Sequence, residues 1–449
     1  MGISGTYYWS RGPGLAEYCY LAAMSQAFRP AGYLLNSNVF EVNLRQYTPE
    51  GTIAAFIREL PRLRDMGIEI LWFMPITPIG RERRLGSLGS PYACSDYTSI
   101  NPEYGTLDDF TRLVKEAHTL GFRVIIDIVA NHTGWDHRWT TEHPEYYKRN
   151  GEGQFYDPHG WSDVIDLNYD NPSLRLAMID VMRFWIECCD IDGFRCDMAM
   201  LVPLDFWRQT RTALDPLKTL IWLAECEEIP YHEVFDATYT WKLLHKMEAV
   251  WRKESPLSEI DEVLDEYDMQ FPPNGLRLYF TTNHDENSHS GSEYERMGDM
   301  ARCFAVLSCT WNGIPLIYSG EEMPNYKRLK FFDKDPIEWT GRYELHGFFR
   351  TLLHLRKNNP ALGSGDPSVT IHRLRTQFDE RSFVFARRSG DNQVVVVLNF
   401  SAEPLPLPIS ELLIGGIYRE VFTGVWFDLS KVATLYIPPW GYNVLEKQG

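Results

Sequence analysis

Short β-rich segments alternate with amphipathic helical segments from about residue 38 to residue 325. Parallel strands need crossover connections, usually helices, so this alternation predicts a parallel sheet. About eight repeats suit a closed barrel, and we therefore predict an α/β fold with a (β/α)8 TIM barrel. An open doubly wound sheet is the structural alternative. It usually carries a glycine-rich phosphate turn after its first strand, and the sequence has none there.

The predicted barrel strands are short apolar runs, several of which end at a polar side chain. They are Val39–Leu44, Glu69–Met74, Arg123–Val129, Gly193–Asp197, Leu220–Glu225, Leu276–Thr281 and Pro315–Tyr318. Helical patterns between them cover Ile53–Met66, Leu107–Leu120 and Ser173–Cys188.

Two segments depart from the alternation. Residues 132–165 are rich in His, Trp, Tyr, Gly and Pro, and a loop this long in a compact domain is usually functional. From about residue 363, short β runs separated by Gly, Pro and Asn predict an antiparallel β-sandwich. We therefore predict an N-terminal segment (1–37), a barrel (38–131 and 166–362), a small inserted domain after the third strand (132–165) and a C-terminal sandwich (363–449).

The charge composition argues against two classes of binding partner. The chain has 44 Lys+Arg against 61 Asp+Glu, a formal charge of −17, which argues against nucleic acid and anionic membrane surfaces as partners. The sequence contains no run of 18 apolar residues and no clear signal peptide. Its eight cysteines form no C-x-x-C pair and are expected to be unpaired. A cytoplasmic location is favoured, with a periplasmic or secreted protein as the alternative.

The fourth predicted strand places Arg195 beside a carboxylate. Gly193, Arg195 and Asp197 share one face because side chains alternate along a strand. A neighbouring guanidinium lowers the pKa of a carboxyl group, so Arg195 would keep Asp197 ionised, as a nucleophile requires. Asp127 lies within the apolar third strand and is well placed to brace Arg195. A purely structural salt bridge is the alternative interpretation of this pattern.

The fifth strand ends at Glu225. Its apolar neighbours Leu223 and Ala224 would desolvate the carboxyl group and raise its pKa, as a general acid requires. Two carboxylates at the ends of adjacent barrel strands are expected to stand roughly 5 Å apart, the separation typical of retaining glycosidases. Asp285 ends another apolar segment and supplies a third carboxylate. The pattern therefore points to glycoside hydrolysis.

Four ordered segments carry a resemblance to a known family. They read DIVANH (127–132), GFRCD (193–197), AECEE (224–228) and TTNHD (281–285). Together they resemble the signature segments of glycoside hydrolase family 13, the α-amylase family. The resemblance implies a retaining hydrolase that cleaves α-1,4-glucosidic bonds in starch, glycogen or maltodextrins by double displacement, with an α-glucan or maltooligosaccharide as its partner.

The same resemblance implies roles for individual residues. Among the carboxylates, it implies Asp197 as nucleophile, Glu225 as acid/base and Asp285 as transition-state stabiliser. The implied substrate-binding residues are Tyr92, which stacks on the sugar, His132 and His284, which hydrogen-bond it, and Arg195, which supports the nucleophile. Asp127, from the strand pattern, is expected to give structural support.

The chain also departs from the family pattern. Where many α-amylases have a Lys-His pair after the nucleophile, this chain has Met200 and Leu201. Asn131 and Asp166 match two calcium-site positions, so a structural calcium is an open expectation, while no cofactor is expected for the chemistry. Met198, next to the nucleophile, leaves the choice between α-1,4 and α-1,6 bonds open.

Other functions stay in view. A cyclomaltodextrinase, a neopullulanase-like hydrolase or a glucanotransferase would use the same three carboxylates. A non-catalytic glucan-binding protein would usually lack one of them. Four tryptophans near the expected active face are candidates for sugar contact or for packing: Trp135, Trp139, Trp161 and Trp241.

Overall fold

The computed structural model describes residues 30–412 and 414–447. Eight parallel strands close into a barrel in which each strand pairs with its neighbours along the chain, and the last pairs with the first. The barrel strands are β1 (Val39–Val42), β2 (Ile70–Phe73), β3 (Arg123–Ile128), β6 (Gly193–Cys196), β7 (Ile221–Ala224), β8 (Ala237–Tyr239), β9 (Leu276–Tyr279) and β10 (Ile314–Tyr318). The predicted TIM barrel is confirmed.

Strand β8 is not among the strands predicted from the sequence. It is three residues long and is held between β7 and β9 by parallel pairing. Three residues are too short to show a two-residue period, so the neighbouring strands define this element rather than its own sequence.

Helices connect the strands around the outside of the barrel. The α-helices are Leu44–Tyr47, Ile53–Ile57, Leu60–Met66, Leu107–Thr119, Trp139–Glu142, Pro172–Cys189, Leu204–Leu214, Trp241–Trp251, Ser258–Gln270, Glu293–Met297, Ala301–Thr310, His346–Asn358 and Ile409–Leu412. The predicted helix 53–66 is divided in two, and the second part carries Pro61 in its first turn. Proline has no backbone N–H and is tolerated at such a position.

Two strands lie in the segment that follows β3. They are β4 (His132–Gly134) and β5 (Val164–Asp166), which pair antiparallel to each other. This small ribbon sits at the carboxyl end of the barrel, where its first residue, His132, reaches the cavity described below.

The C-terminal part is antiparallel, as predicted. Its strands are β11 (Thr370–Arg373), β12 (Ser382–Ser389), β13 (Asn392–Asn399), β14 (Leu405–Pro408), β15 (Ile417–Glu420), β16 (Trp426–Asp428), β17 (Thr434–Ile437) and β18 (Tyr442–Lys447). Six of them form one sheet, and β14 pairs with β17 in a second. Alternate residues of β12 and β13 face either the second sheet or the barrel core, so this part is packed on both faces.

The seven cysteines in the described part of the chain are unpaired, and six of them are buried. Cys19 lies outside the described residues. Among the residues that the structure describes, no helix has both the length and the apolar character needed to cross a bilayer.

Gly193, at the start of β6, allows two barrel strands to approach closely. Its φ is +150°, and a Cβ placed there would lie 2.1 Å from the carbonyl oxygen of Ile221 on β7. A side chain at this position would force the strands apart directly beneath the residues that end them.

We therefore expect Gly193→Ala to lower the free energy of unfolding by about 2–4 kcal/mol, through overpacking and backbone strain. Urea denaturation followed by circular dichroism measures this change. Gly347→Ala is the matched control, because a Cβ at this exposed helical position meets nothing within 4 Å. It should leave stability unchanged or raise it by about 0.5–1 kcal/mol. Equal stability of the two variants would contradict the close-approach argument.

Candidate active site

One guanidinium joins three carboxylates at the carboxyl end of the barrel. Arg195 is completely buried, and its Nη1 donates to Asp127 at 3.0 and 3.1 Å and to Asp197 at 2.9 Å. Its Nη2 lies 2.8 Å from Glu225, and its Nε donates to the Tyr239 hydroxyl at 3.3 Å. Because both nitrogens belong to one planar group, Asp197 and Glu225 must lie close together on the same side of the barrel.

Strand register produces this convergence. Arg195 on β6 lies directly opposite Asp127 on β3, and opposite Leu223 on β7. The chain leaves β6 and β7 at equivalent levels, which places Asp197 beside Glu225. The contact between Arg195 and Glu225 was not foreseen from the sequence, where we related this arginine only to the two aspartates.

The backbone after Asp197 is strained. Met198 has φ of +39°, a left-handed conformation that a residue with a Cβ adopts at a cost. In this conformation its backbone N–H donates to Glu225 at 2.8 Å. The turn after the nucleophile candidate therefore orients the acid candidate.

Burial controls the protonation of the paired carboxyl groups. Desolvation raises the pKa of Glu225 to about 7, an effect that Arg195 opposes and that Asp197 and Asp285 reinforce. Desolvation also raises the pKa of Asp197 to about 6, again against the opposing charge of Arg195. For Asp197, burial therefore outweighs the lowering effect of Arg195 that the sequence predicts. Even so, Glu225 holds its proton to higher pH than Asp197, as an acid paired with a nucleophile requires.

A second ionic cluster faces the first. His284 lies 3.0 Å from Asp285, shares a 2.7 Å hydrogen bond with the Tyr92 hydroxyl, and pairs through Nδ1 with Glu41. Burial lowers the pKa of His284, but Asp285 and Glu41 outweigh it and raise the pKa well above its usual value. Burial likewise opposes ionisation of Asp285, yet His284 holds its pKa below the usual range. The pair is therefore an imidazolium with a carboxylate.

Glu41 is the residue of this cluster that sequence analysis missed. It lies in the middle of β1, is fully buried, and has one carboxylate oxygen without a hydrogen-bond partner among the described residues. A carboxylate inside an apolar strand is costly unless it is paired. The same reasoning that singled out Asp127 on β3 was available for Glu41 and would have found it.

These groups open into one cavity of about 470 Å³ at the carboxyl end of the barrel. All three candidate catalytic carboxylates line it, and so do Tyr92 and His132. Burial lowers the pKa of His132 to about 4, so its imidazole is neutral and can both donate and accept hydrogen bonds. Polar groups converging on a concave, partly apolar site are typical of a small-molecule binding pocket.

Of the four tryptophans considered, Trp161 lines the cavity, 5.4 Å from the ring of His132. Trp139 is buried against Tyr97, and Trp241 packs against Tyr239. The ring of Trp135 lies under the guanidinium of Arg83. These last three tryptophans therefore have packing partners of their own.

The suggested calcium position contains a lysine. Asp166 is fully buried, and its Oδ2 accepts from Lys148 Nζ at 3.0 Å while its Oδ1 accepts from the Asn131 amide at 3.3 Å. Calcium prefers six or more oxygen ligands, whereas here an ammonium group already contacts the carboxylate. Asp157, His159 and Asp166 offer three ligand atoms within 4.8 Å of one another. As they stand, Asn131 and Asp166 fit an internal cation better than a calcium ion, and calcium binding stays a prediction.

The model of the family "Alpha amylase, catalytic domain" matches residues 33–163 and 146–340. A noncanonic maltogenic α-amylase, AmyB from Thermotoga neapolitana, superposes with a TM-score of 0.84 at 31% identity, covering 92% of this chain and 99% of that one. An α-amylase from Lactobacillus plantarum gives 0.83 at 29% identity, covering 93% and 100%.

Among curated proteins, α-amylase MalA of Haloarcula japonica is 26% identical over 82% of this chain. The chain spans 56% of that relative's length. Alpha-amylase 3 of Dictyoglomus thermophilum is also 26% identical, with 82% of this chain and 85% of the relative covered. The family model covers well over half of the chain, and the chain belongs to the α-amylase family of glycoside hydrolases.

Proposed function

We propose that the protein hydrolyses α-1,4-glucosidic bonds in maltodextrins and related α-glucans, with retention of configuration. The observation that carries this proposal is that Arg195 contacts both Asp197 and Glu225, at 2.9 and 2.8 Å, inside one cavity. Two carboxyl groups that contact one guanidinium fit the short separation of a retaining enzyme better than the wider one in which an inverting enzyme places a water molecule. The α-glucan substrate is supported by the names of the relatives.

In this proposal Glu225 protonates the glycosidic oxygen while Asp197 attacks the anomeric carbon. The bond to the leaving sugar breaks, and a glycosyl ester forms on Asp197. Glu225, now ionised, takes a proton from water, which attacks the same carbon and releases Asp197. Each half of the reaction leaves the pair in the protonation state that the next half needs.

Tyr92, His132, His284 and Asp285 are proposed to hold the sugar whose bond is broken. Asp285 stays ionised beside the imidazolium of His284, so its charge can act on sugar hydroxyls as positive charge develops on the ring. Neutral His132 offers a donor and an acceptor on another side of the cavity. Asp127 and Glu41 act through Arg195 and His284 as positioning residues.

Substituting either carboxyl group of the pair tests the mechanism. We expect Asp197→Asn and Glu225→Gln each to lower kcat on maltoheptaose by at least about 10²–10⁴-fold, because nucleophile or acid is lost. Thermal melting checks that each variant folds. Glu227→Gln is the control, since this neighbouring carboxyl group bonds outward to Tyr267 and Lys242. Near-normal hydrolysis by Asp197→Asn or Glu225→Gln would refute the assignment.

The pH dependence follows from the same pair. Protonation of Asp197, with a pKa of about 6, removes the nucleophile at low pH. Ionisation of Glu225, with a pKa of about 7, removes the acid at high pH. We therefore expect kcat/KM to follow a bell-shaped profile with its maximum between these two values, which belong to the coupled pair.

A maltoside with a good aryl leaving group provides the control for this profile. Its departure needs little protonation, so the alkaline limb should weaken while the acid limb persists. A profile that stays flat through both pKa values would contradict the assignment.

Neither step of the proposed chemistry requires a cofactor, and Lys148 is proposed to supply the positive charge that Asp166 needs. We expect a chelator to leave the melting temperature of the native protein unchanged. Lys148→Ala should lower the melting temperature, because burial already raises the pKa of Asp166 and its closest cation is gone. Added calcium should restore part of the loss.

Lys115→Ala, at an exposed position on the helix Leu107–Thr119, is the matched control and should change nothing. A strong effect of the chelator on the native protein would show instead that a metal ion is bound at or near this position.

A further inference from the structure

Two loops meet across one side of the cavity, and we call them the bridge: residues 85–89, which follow β2, and residues 327–333, which follow β10. Leu88 donates its backbone N–H to the Phe332 carbonyl at 3.0 Å. Ser87 donates to Asp333 from its backbone at 2.7 Å and from its hydroxyl at 2.5 Å. The two loops are therefore joined to each other by main-chain and side-chain hydrogen bonds.

Buried side chains of the helix Leu44–Tyr47, which follows β1, anchor the bridge from below. Arg45 is 3% exposed, and its Nη1 donates to Gly89 at 3.0 Å and to Phe331 at 3.2 Å, one carbonyl on each loop. Gln46 is also buried and donates to the carbonyls of Lys330 at 3.0 Å and Asp333 at 2.7 Å. Moving the two loops away from the cavity would cost free energy, because buried donors of Arg45 and Gln46 would lose their acceptors.

Packing between the loops is tight as well. Gly86 has φ of +62°, and a Cβ there would lie 2.5 Å from Phe332 Cβ and 2.8 Å from its carbonyl oxygen. On the far side, buried Asn287 accepts from the Leu329 N–H at 2.9 Å and donates to the Lys327 carbonyl at 3.1 Å. The bridge is thus fixed at three places around the barrel rim.

The chemistry identifies which end of the substrate the bridge faces. The leaving sugar must lie toward the acid Glu225, and the sugar that is attacked must lie against Tyr92 and His284. The Phe331 ring stacks beside Tyr92 at 6.2 Å and beside His284 at 6.3 Å, with interplanar angles of 11° and 27°. The bridge therefore lies on the side of the attacked sugar, which is the non-reducing side of the bond that breaks.

Three apolar side chains of the bridge region line the cavity on that side: Leu85, Phe331 and Phe332. The cavity of about 470 Å³ is of the size of a small-ligand pocket. We propose that the bridge closes the non-reducing end of the cleft, so that the enzyme acts on chain ends and short maltooligosaccharides. The glucan substrate would then be cut at a fixed, small number of glucose units from its non-reducing end. This inference rests on the proposed function.

The test uses maltoheptaose with a fluorescent label at its reducing end, alone and with its non-reducing end blocked by a 4,6-O-ethylidene group. Initial products are separated by chromatography. The native enzyme should give one dominant labelled product, and should cut the blocked substrate at least about tenfold more slowly, since the added group meets the bridge.

The double variant Leu85→Ala/Phe332→Ala removes apolar bulk without touching the rings beside the attacked sugar. We expect it to shift the cut toward the interior and to raise the relative rate on the blocked substrate about tenfold or more. Phe332→Leu keeps an apolar side chain, and Tyr326→Ala removes an exposed ring that precedes the bridge. Both controls should keep the native pattern. The position of the cut is measured per cleavage event, so partial loss of folded protein does not change it.

Random internal cutting by the native enzyme, with equal rates on both substrates, would overturn the inference and leave the proposed function standing. An unchanged pattern in the double variant would also overturn it, because the bridge would not be the barrier. If the native enzyme cleaved neither substrate, the proposed function would fail first.

Discussion

The buried guanidinium of Arg195 is the interaction on which the centre of this molecule depends. It lies at the carboxyl end of the barrel, has no exposure to solvent, and contacts Asp127, Asp197 and Glu225. Three carboxyl groups packed together without a cation would be strongly destabilised by burial and mutual repulsion. With one cation shared among them, their pKa values rise only moderately, to between about 6 and 7.

The sharing has a chemical consequence. One positive charge cannot fully stabilise three negative charges, and burial together with the neighbouring charges of Asp197 and Asp285 raises the pKa of Glu225 to about 7. Glu225 contacts Nη2, whereas Asp127 and Asp197 share Nη1. In the second cluster the positive charge comes from a different residue, because the protonated His284 lies between Glu41 and Asp285. The site thus combines two carboxyl groups that titrate between about pH 6 and 7, Asp197 and Glu225, with the ion pair of His284 and Asp285.

The barrel explains how buried charged groups, whose desolvation costs free energy, are held in place. Parallel pairing sets Arg195 opposite Asp127 and brings the chain out of β6 and β7 at the same level. The close contact that Gly193 permits draws these strands together below the site. The loops above the barrel form the rest of the cavity wall. Hydrogen bonds from Arg45 and Gln46 hold two of these loops to the helix that follows the first strand.

Local sequence was sufficient to predict the barrel and the carboxylates of the candidate site. Strand–helix alternation predicted the barrel, and polar residues at the ends of apolar strands predicted the carboxylates that line the cavity. Both signals reside in a few consecutive residues, because side chains alternate along a strand and strand ends meet at one face of a barrel. The four ordered segments added the family and the residues proposed to bind substrate, of which Tyr92 and His132 line the same cavity.

Tertiary structure decided what depends on residues far apart in the chain. Glu41 meets His284 across 243 positions, and Ser87 meets Asp333 across 246. Lys148 reaches Asp166 only because β4 and β5 pair and fold the intervening segment back. The strand Ala237–Tyr239 exists because its neighbours supply its hydrogen bonds. No local pattern encodes such contacts, since the free energy of each depends on packing that forms only when the barrel closes.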